Sequence, residues 1–316
     1  MAKMRVGIIG AGRIAVVMAE TLRKMRGVEA YAIASRSLEK AQAFAFEHGM
    51  TKAYGSYEEM LQDKKLDLVY IATPHTLHLT HAKLCIDYGK PVLVEKPFCV
   101  NAAQAQELLD YAKEKGIRVA NVKGYSTEAV AQLTLALCLE LIEHTSRYDS
   151  YVKSHQYEKD KVFSFFGYSF HELSTMTWGI VGLGAIGQRV ARIAEALGCQ
   201  VQYYSTTGHH QDEHFKQVDF DTLLKTSDII SIHSPLTKET EHLFNAEAFK
   251  KMKDTAYLIN VGRGPIIDEE ALSDALNNNL IAGAGLDVFE KEPLPSTSPL
   301  YSVDPQKVVF TPHVAW

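Results

Sequence analysis

Cysteine is scarce in this chain: its 316 residues include four, Cys85, Cys99, Cys138 and Cys199, far apart and with no Cys-x-x-Cys pair. That spacing argues against a disulfide framework or a thiolate metal site, and the apolar settings of Cys99 and Cys138 suit buried thiols. Basic blocks are missing too. The formal net charge is -5, so neither nucleic acid nor an anionic membrane surface is an expected partner. No apolar run reaches the roughly 18 residues that a membrane span needs. The N-terminus enters a strand by Met4, which leaves no room for a signal peptide, so a cytoplasmic setting is expected. Low-complexity linkers are absent, and no Ser-His-Asp set stands out. What remains is 46% hydrophobic and 22% charged, the composition of a globular protein long enough for two cores.

One turn is present twice. The first copy is Gly10-Ala11-Gly12-Arg13-Ile14-Ala15, after the apolar run Val6 to Ile9. The second is Gly182-Leu183-Gly184-Ala185-Ile186-Gly187, after Trp178 to Val181. In each, the first glycine permits a tight strand-to-helix turn, and the second lets a pyrophosphate approach the backbone. The third small residue lets helix and strand pack closely. The helix N-terminus then offers N–H groups to phosphates. Each copy has a strand before it, a helix after it and a second strand about 20–25 residues on, the context the motif needs.

Strand and helix patterns alternate along the chain, which predicts an α/β fold with two doubly wound Rossmann-like parallel sheets in tandem. In the first third, strands are expected at Arg5–Ile9, Glu29–Ser35, Leu68–Ala72, Pro91–Glu95 and Arg118–Asn121. Helices are expected at Arg13–Met25, Leu38–His48, Tyr57–Asp63, Leu77–Tyr88 and Ala102–Lys115. Ser126 to His144 reads as one long amphipathic helix, and Tyr151 to Leu173 as an aromatic, irregular stretch. Six further strands follow at Thr177–Val181, Gln200–Ser205, Ile229–Ile232, Ala256–Asn260, Ile281–Leu286 and Val308–Phe310. The boundary between a first domain, 1–120, and a second, 121–316, falls near Gly116–Asn121.

The two halves resemble different families. The N-terminal half resembles the Gfo/Idh/MocA oxidoreductases, through Val6 to Ala15, Ala72-Thr73-Pro74-His75 with His78, and the tripeptide Glu95-Lys96-Pro97. The C-terminal half is similar to the D-2-hydroxyacid dehydrogenases. Its matching stretches are Gly124 to Gln132, Thr177 to Gly184, Asn260 to Gly264, Leu286 to Pro293 and Thr311-Pro312-His313. The chain thus reads as a chimera of two nucleotide-binding domains. The resemblance implies that each family's own substrate domain is replaced or missing.

Reduction of a 2-keto acid needs a cation for the carboxylate, a proton donor for the developing alkoxide, and a hydride. Arg263 suits the first through its planar fork, and His313 suits the second. Glu292 would fix the imidazole's tautomer. The D-2-hydroxyacid dehydrogenase family assigns these roles to the matching positions. The resemblance also implies that His233, Pro235 and Thr240 lie on a loop under the cofactor, near Val261. It places Asp287 at the nicotinamide carboxamide. Gly182, Gly184, Ala185, Ile186 and Gly187 would hold the pyrophosphate, as Gly10, Gly12, Arg13 and Ile14 would in the first domain. Thr73, His75, Glu95 and Lys96 complete that first site, with Lys96 read as a cofactor contact rather than a catalytic group.

Cofactor choice can be argued from charge. NAD sites place an acid at the end of the second strand. Here that end reads Ser35-Arg36 in the first domain and Ser205-Thr206 in the second, with no acid in either. Arg36 suits a 2′-phosphate, so NADP is favoured at the first site and NADP or NAD at the second. The polar run His209 to His214 reads as a solvated loop rather than a metal site. Three functions stay open: a dehydrogenase of a small 2-keto/2-hydroxy acid, a sugar or diol oxidoreductase led by Lys96, and a cofactor-binding protein with little turnover. A homodimer is expected, formed through the helix from Ser126 onward and the aromatic stretch after it.

Overall fold

The computed structural model describes residues 3–208 and 212–316. The chain divides into two units, one up to Asn121 and one from Val122 onward. Each is built on one wholly parallel sheet, as the near-continuous apolar strands dictate.

The first unit runs β1 (Met4–Ile9), α1 (Arg13–Lys24), β2 (Val28–Ala34), α2 (Leu38–His48), β3 (Lys52–Tyr54), α3 (Tyr57–Leu61), β4 (Leu68–Ile71), α4 (His78–Asp87), β5 (Val92–Val94) and α5 (Ala102–Glu114). Its strand order is β3-β2-β1-β4-β5. The chain starts in the middle strand, builds outward on one side, then returns to build on the other. The loops after β1 and β4 therefore leave in opposite directions and open a crevice at the carboxyl ends of the strands. On one face Ala15, Ala19 and Leu22 of α1 and Phe44 of α2 pack against Val6 and Ile8. On the other, Met60, Cys85, Ile86 and Leu108 from α3, α4 and α5 cover Ile9, Val69 and Ile71.

The second unit opens with α6 (Thr127–Glu143) and α7 (Thr145–Lys153). It continues through β6 (Thr177–Val181), α8 (Ala185–Ala196), β7 (Gln200–Tyr204), β8 (Lys216–Gln217), α9 (Phe220–Thr226), β9 (Ile229–Ile232) and α10 (Ala246–Lys251). β10 (Tyr257–Asn260), α11 (Glu269–Asn277), β11 (Gly283–Leu286) and β12 (Val308–Phe310) complete it. Its sheet order is β12-β11-β10-β9-β6-β7-β8, with the reversal between β6 and β9. Helices α6 and α8 cover one face, where Leu137, Leu141 and Val190 surround Trp178 and Ile259. Helices α9, α10 and α11 cover the other with Leu223, Phe249 and Leu272. Trp178 is 1% exposed, and truncating such a side chain to alanine costs about 3–5 kcal/mol.

Pairing register levels the strand ends of the second unit. Val181 lies opposite Tyr204 and Ile232, Ile232 opposite Asn260, Asn260 opposite Leu286, and Leu286 opposite Phe310. The first residues past those ends, Gly182, Ser205, His233, Val261, Asp287 and Thr311, therefore stand in a row along one edge of the sheet.

The strand expected at Arg118–Asn121 does not form: that stretch is exposed and pairs with nothing. It follows the C-terminus of α5, and its alternation has no core to turn toward, since Ile117 and Val119 are 44% and 46% exposed. Two short strands, β3 and β8, were not expected; both are edge strands too brief to show a period. The long helix ends at Glu143, because His144 adopts φ 52° and α7 starts anew. No described helix is long and apolar enough to cross a membrane.

Candidate active site

Both glycine turns have the geometry their sequences require. Gly10 and Gly182 sit at φ +95° and +92°, in the left-handed region. A Cβ at Gly182 would lie 2.9 Å from the Ser234 nitrogen, and one at Gly10 would lie 2.9 Å from Thr73 Cγ2. Each turn thus presses against the loop across the sheet's reversal. A Cβ at Gly187 would lie 2.2 Å from the Gly182 carbonyl oxygen, so the third glycine lets the helix pack on its own turn. Gly12 and Gly184 differ, since nothing comes within 4 Å of where their Cβ would be.

Capping separates these two helices from most others. Helices α2, α5, α9, α10 and α11 begin on Ser, Asn or Asp side chains that accept a first-turn N–H. Helices α1 and α8 begin on Gly12 and Gly184, with no side-chain cap. Arg13 and Ile14 open α1, and Ala185 and Ile186 open α8, so their N–H groups face an open space that suits an anion.

In the first unit, Ser35 is buried at the end of β2 and Arg36 is exposed beside it. Thr73 Oγ1 bonds His81 Nδ1 at 2.9 Å, and His75 is exposed. His78 is fully buried; its Nε2 meets the Thr73 carbonyl at 3.0 Å and its Nδ1 the Pro97 carbonyl at 2.9 Å. It therefore ties the loop after β4 to the loop carrying Lys96. Glu95 accepts the Tyr70 hydroxyl through Oε1 and the Lys96 N–H through Oε2 at 2.9 Å. Burial, then the Glu95 carboxylate, pushes the Tyr70 pKa up.

In the second unit, Ser205 is buried and Thr206 half-buried at the end of β7. His233 Nε2 lies 3.0 Å from Ser231 Oγ, which also accepts the Trp178 indole N–H at 2.9 Å. Loss of solvent pushes the His233 pKa down, so its ring is neutral. Its Nδ1 and the Ser234 hydroxyl are buried without a protein partner. Two such orphans beside Gly182 fit a ligand that bridges the reversal. Pro235 is exposed, whereas Thr240 is 2% exposed and spent on its own loop. Its hydroxyl donates to the Pro235 carbonyl at 2.8 Å and accepts the Thr237 N–H at 2.7 Å.

Of the residues read as chemical, the fold brings His313 and Glu292 together, while Arg263 stands in the loop after β10. His313 Nδ1 lies 2.6 Å from Glu292 Oε2, while Glu292 Oε1 accepts the Phe289 N–H at 3.1 Å. A carboxylate accepts, so Nδ1 is the donor of this pair, which leaves Nε2 outside it. Arg263 is exposed, and its Nη1 donates to its own Gly262 carbonyl at 2.7 Å. Its loop abuts the Glu292 loop: a Cβ at Gly264 would lie 1.9 Å from the Phe289 carbonyl carbon. Val261 is buried beneath. Asp287 is fully buried, and its carboxylate bonds Thr311, Val314 and Ala315.

Sequence reading overlooked Asn260. It is fully buried; its Oδ1 accepts the Gly262 N–H and its Nδ2 donates to the Arg263 carbonyl, both at 3.0 Å, so it shapes the loop that presents Arg263. A polar residue closing the apolar run Tyr257-Leu258-Ile259 was the available signal. Of the run His209 to His214, residues His209, His210 and Gln211 lie outside the described residues. No group of metal-ligating side chains occurs among the described residues.

The family described as "D-isomer specific 2-hydroxyacid dehydrogenase, NAD binding domain" matches residues 135–315. The chain belongs to this family. Residues 4–122 match another description, "Oxidoreductase family, NAD-binding Rossmann fold", that of the Gfo/Idh/MocA group. A hydroxypyruvate reductase of Blautia hydrogenotrophica is 40% identical over 65% of this chain and 64% of its own length. A glyoxylate reductase of Thermofilum pendens is 43% identical over 65% of this chain and 60% of its own length. The chain thus spans less than two thirds of these curated relatives. The D-lactate dehydrogenase of Lactobacillus jensenii, solved with NAD+, superposes with a TM-score of 0.68 and 24% identity, covering 99% of this chain and 90% of that one. That likeness shows the fold.

Proposed function

We propose that this protein is an NAD(P)-dependent oxidoreductase that interconverts a small 2-keto acid and its 2-hydroxy acid, with the chemistry in the second unit. The observation that carries this reading is the His313–Glu292 pair at 2.6 Å, in the loops that follow the strand ends of the sheet carrying the glycine turn. A reduced nicotinamide cofactor, when bound, supplies the hydride. Arg263 holds the substrate carboxylate through its guanidinium fork. His313 gives the Nε2 proton to the substrate's carbonyl oxygen as that oxygen gains charge, and Glu292 stabilises the imidazolium beforehand. The names of the relatives point to glyoxylate and hydroxypyruvate as first substrates to try.

The cofactor would rest against Gly182, Gly184, Ala185, Ile186 and Gly187, with His233 and Ser234 as further contacts. Ser205 and Thr206 would face its ribose. The first unit would hold a second dinucleotide on Gly10, Gly12, Arg13 and Ile14. Ser35 and Arg36 favour NADP there, and Thr73, His75, Glu95 and Lys96 sit at its nicotinamide end. The two family matches support a chimeric origin, with the division near residues 120 and 121. Exposed Phe163 and Phe166, at 91% and 79%, support a homodimer formed through the segment after α6. Four free, buried thiols suit a reducing cytoplasm.

The test is oxidation of NADPH and NADH by a panel of 2-keto acids, with calorimetry of cofactor binding alongside. Turnover supports the reading. Tight cofactor binding with no turnover on any keto acid would leave a binding protein instead.

A further inference from the structure

We propose that Glu269 is a positioning residue for Glu292, an inference that rests on the reading of His313 as the proton donor. Glu292 lies in the segment 290–298, which follows β11 and forms neither helix nor strand. No ladder therefore fixes this segment, yet it brings Glu292 to 2.6 Å from His313 Nδ1. Glu269, the first residue of α11, reaches both of its ends. Its Oε1 accepts the Glu290 N–H at 2.7 Å, and its Oε2 accepts the Ser298 hydroxyl at 3.2 Å. One carboxylate thus clasps the segment on either side of Glu292.

The clasp is reciprocal. Glu290 Oε1 accepts the Glu269 N–H, a first-turn donor of α11, at 3.3 Å, and lies 3.2 Å from His242 Nε2. Next to Glu290 along the chain is Phe289, whose N–H donates to Glu292 Oε1 at 3.1 Å. The peptide that Glu269 holds is therefore the neighbour of the peptide that aims Glu292. Glu269 is 8% exposed, and burying a carboxylate is costly unless its oxygens are bonded. Burial pushes its pKa up, against the pull of the Glu290 N–H and the Ser298 hydroxyl. The clasp depends on reach and hydrogen bonding rather than on charge. A glutamine would accept the Glu290 N–H through its oxygen and donate to Ser298 Oγ through its amide nitrogen. An alanine would make neither bond, and the Glu292 carboxylate would drift from His313.

The test uses the full chain with Glu269→Ala, Glu269→Gln and Ser298→Ala. It measures keto-acid turnover against pH, NADPH affinity, and the imidazole titration of His313 by NMR, assigned against His313→Ala. A carboxylate beside an imidazole favours the imidazolium, so losing it lowers the His313 pKa. Glu269→Ala is expected to move the alkaline limb of kcat and the His313 titration down by about 1 pH unit. At a pH above both titrations kcat then falls about 10-fold, with NADPH Kd unchanged. Ser298→Ala removes one of the two bonds and should move both by less. Glu269→Gln should keep both at wild-type values. A purely structural role would reduce the amount of active enzyme without moving either, so an unmoved His313 titration in Glu269→Ala overturns the proposal. A titration in Glu269→Gln displaced as far as in Glu269→Ala overturns it too, since charge and not the clasp would then be at work. Should Glu269→Ala fail to fold, an unmoved titration in Ser298→Ala overturns it instead. If wild type reduces no keto acid, the proposed function fails on its own, and the His313 titration still decides the clasp.

Discussion

Two neighbouring glycines should respond to substitution in opposite ways. Gly182→Ala places a Cβ at φ +92°, which costs about 1–2 kcal/mol. The same Cβ would sit 2.9–3.1 Å from backbone atoms of His233 and Ser234, which cannot rotate away, and such crowding adds about 1–3 kcal/mol. At about 2–4 °C per kcal/mol for a unit of this size, melting of the second unit should fall by about 5–15 °C. Gly184→Val meets neither obstacle, because φ is -76°, ψ is -165° and nothing lies within 4 Å. Its melting temperature should match wild type. What it should lose is the response to cofactor. NADPH at about 100 times its Kd stabilises a binding protein by about 2.7 kcal/mol, or about 5–10 °C here. Calorimetric scans with and without NADPH, in a Gly12→Val background that silences the first turn, read both effects. A full NADPH shift in Gly184→Val would show that no pyrophosphate crosses this backbone. Wild-type melting in Gly182→Ala would refute the steric argument itself.

Other substitutions test the chemistry and the charge network. His313→Ala should lower keto-acid turnover about 10²–10⁴-fold with NADPH affinity intact, and equal turnover would remove His313 from the mechanism. Arg263→Lys should chiefly raise the substrate KM, since an ammonium cannot reproduce the bidentate fork; a pure kcat effect would contradict that role. Lys96→Ala should leave keto-acid turnover nearly intact, and its loss would make the first unit the working half. Burial opposes charge on Asp63, but Lys52 and the Tyr54 and Tyr31 hydroxyls overcome it and hold its pKa well below the carboxylate range. A depressed pKa contributes stability above the unfolded value near 4, lost as pH falls through the folded value. Asp63→Asn should therefore destabilise the first unit at neutral pH and flatten the acid side of its stability curve. An unchanged acid limb would rule Asp63 out as its source.

What was legible in the sequence depended on whether a signal lies along the chain or between strands. The glycine turns are local, so Gly10, Gly12, Gly182 and Gly184 could be read directly. Strands such as Ile229–Ile232 are buried on both faces and show as unbroken apolar runs. Arg118–Asn121 misled because it has the residues of a strand but no neighbour to pair with. The Glu292–His313 pair spans 21 positions and was legible only through family resemblance. Asn260 left only the signal of a polar residue closing an apolar run, and the hydrogen bonds of Asp287 left none. The partners of Asp287 are set by strand register, and no spacing along one chain announces that Leu286 will stop level with Phe310.

Register also explains why two similar turns differ in chemical promise. Any level parallel sheet presents a row of first residues past its strands, and a dinucleotide needs only the turn and the loop beside it. A proton donor needs more: an imidazole held by one nitrogen with the other left for substrate. In the first unit, His78 has both ring nitrogens on main-chain carbonyls, and Glu95 is occupied by Tyr70 and the Lys96 N–H. Those groups brace loops. In the second, the outer strands β11 and β12 extend the row by two places, and His313 stands beyond the last of them with Glu292 on Nδ1 alone. On the proposed reading, the same turn supplies cofactor affinity in both units, while the two added strands give the second unit a place to hold the acid.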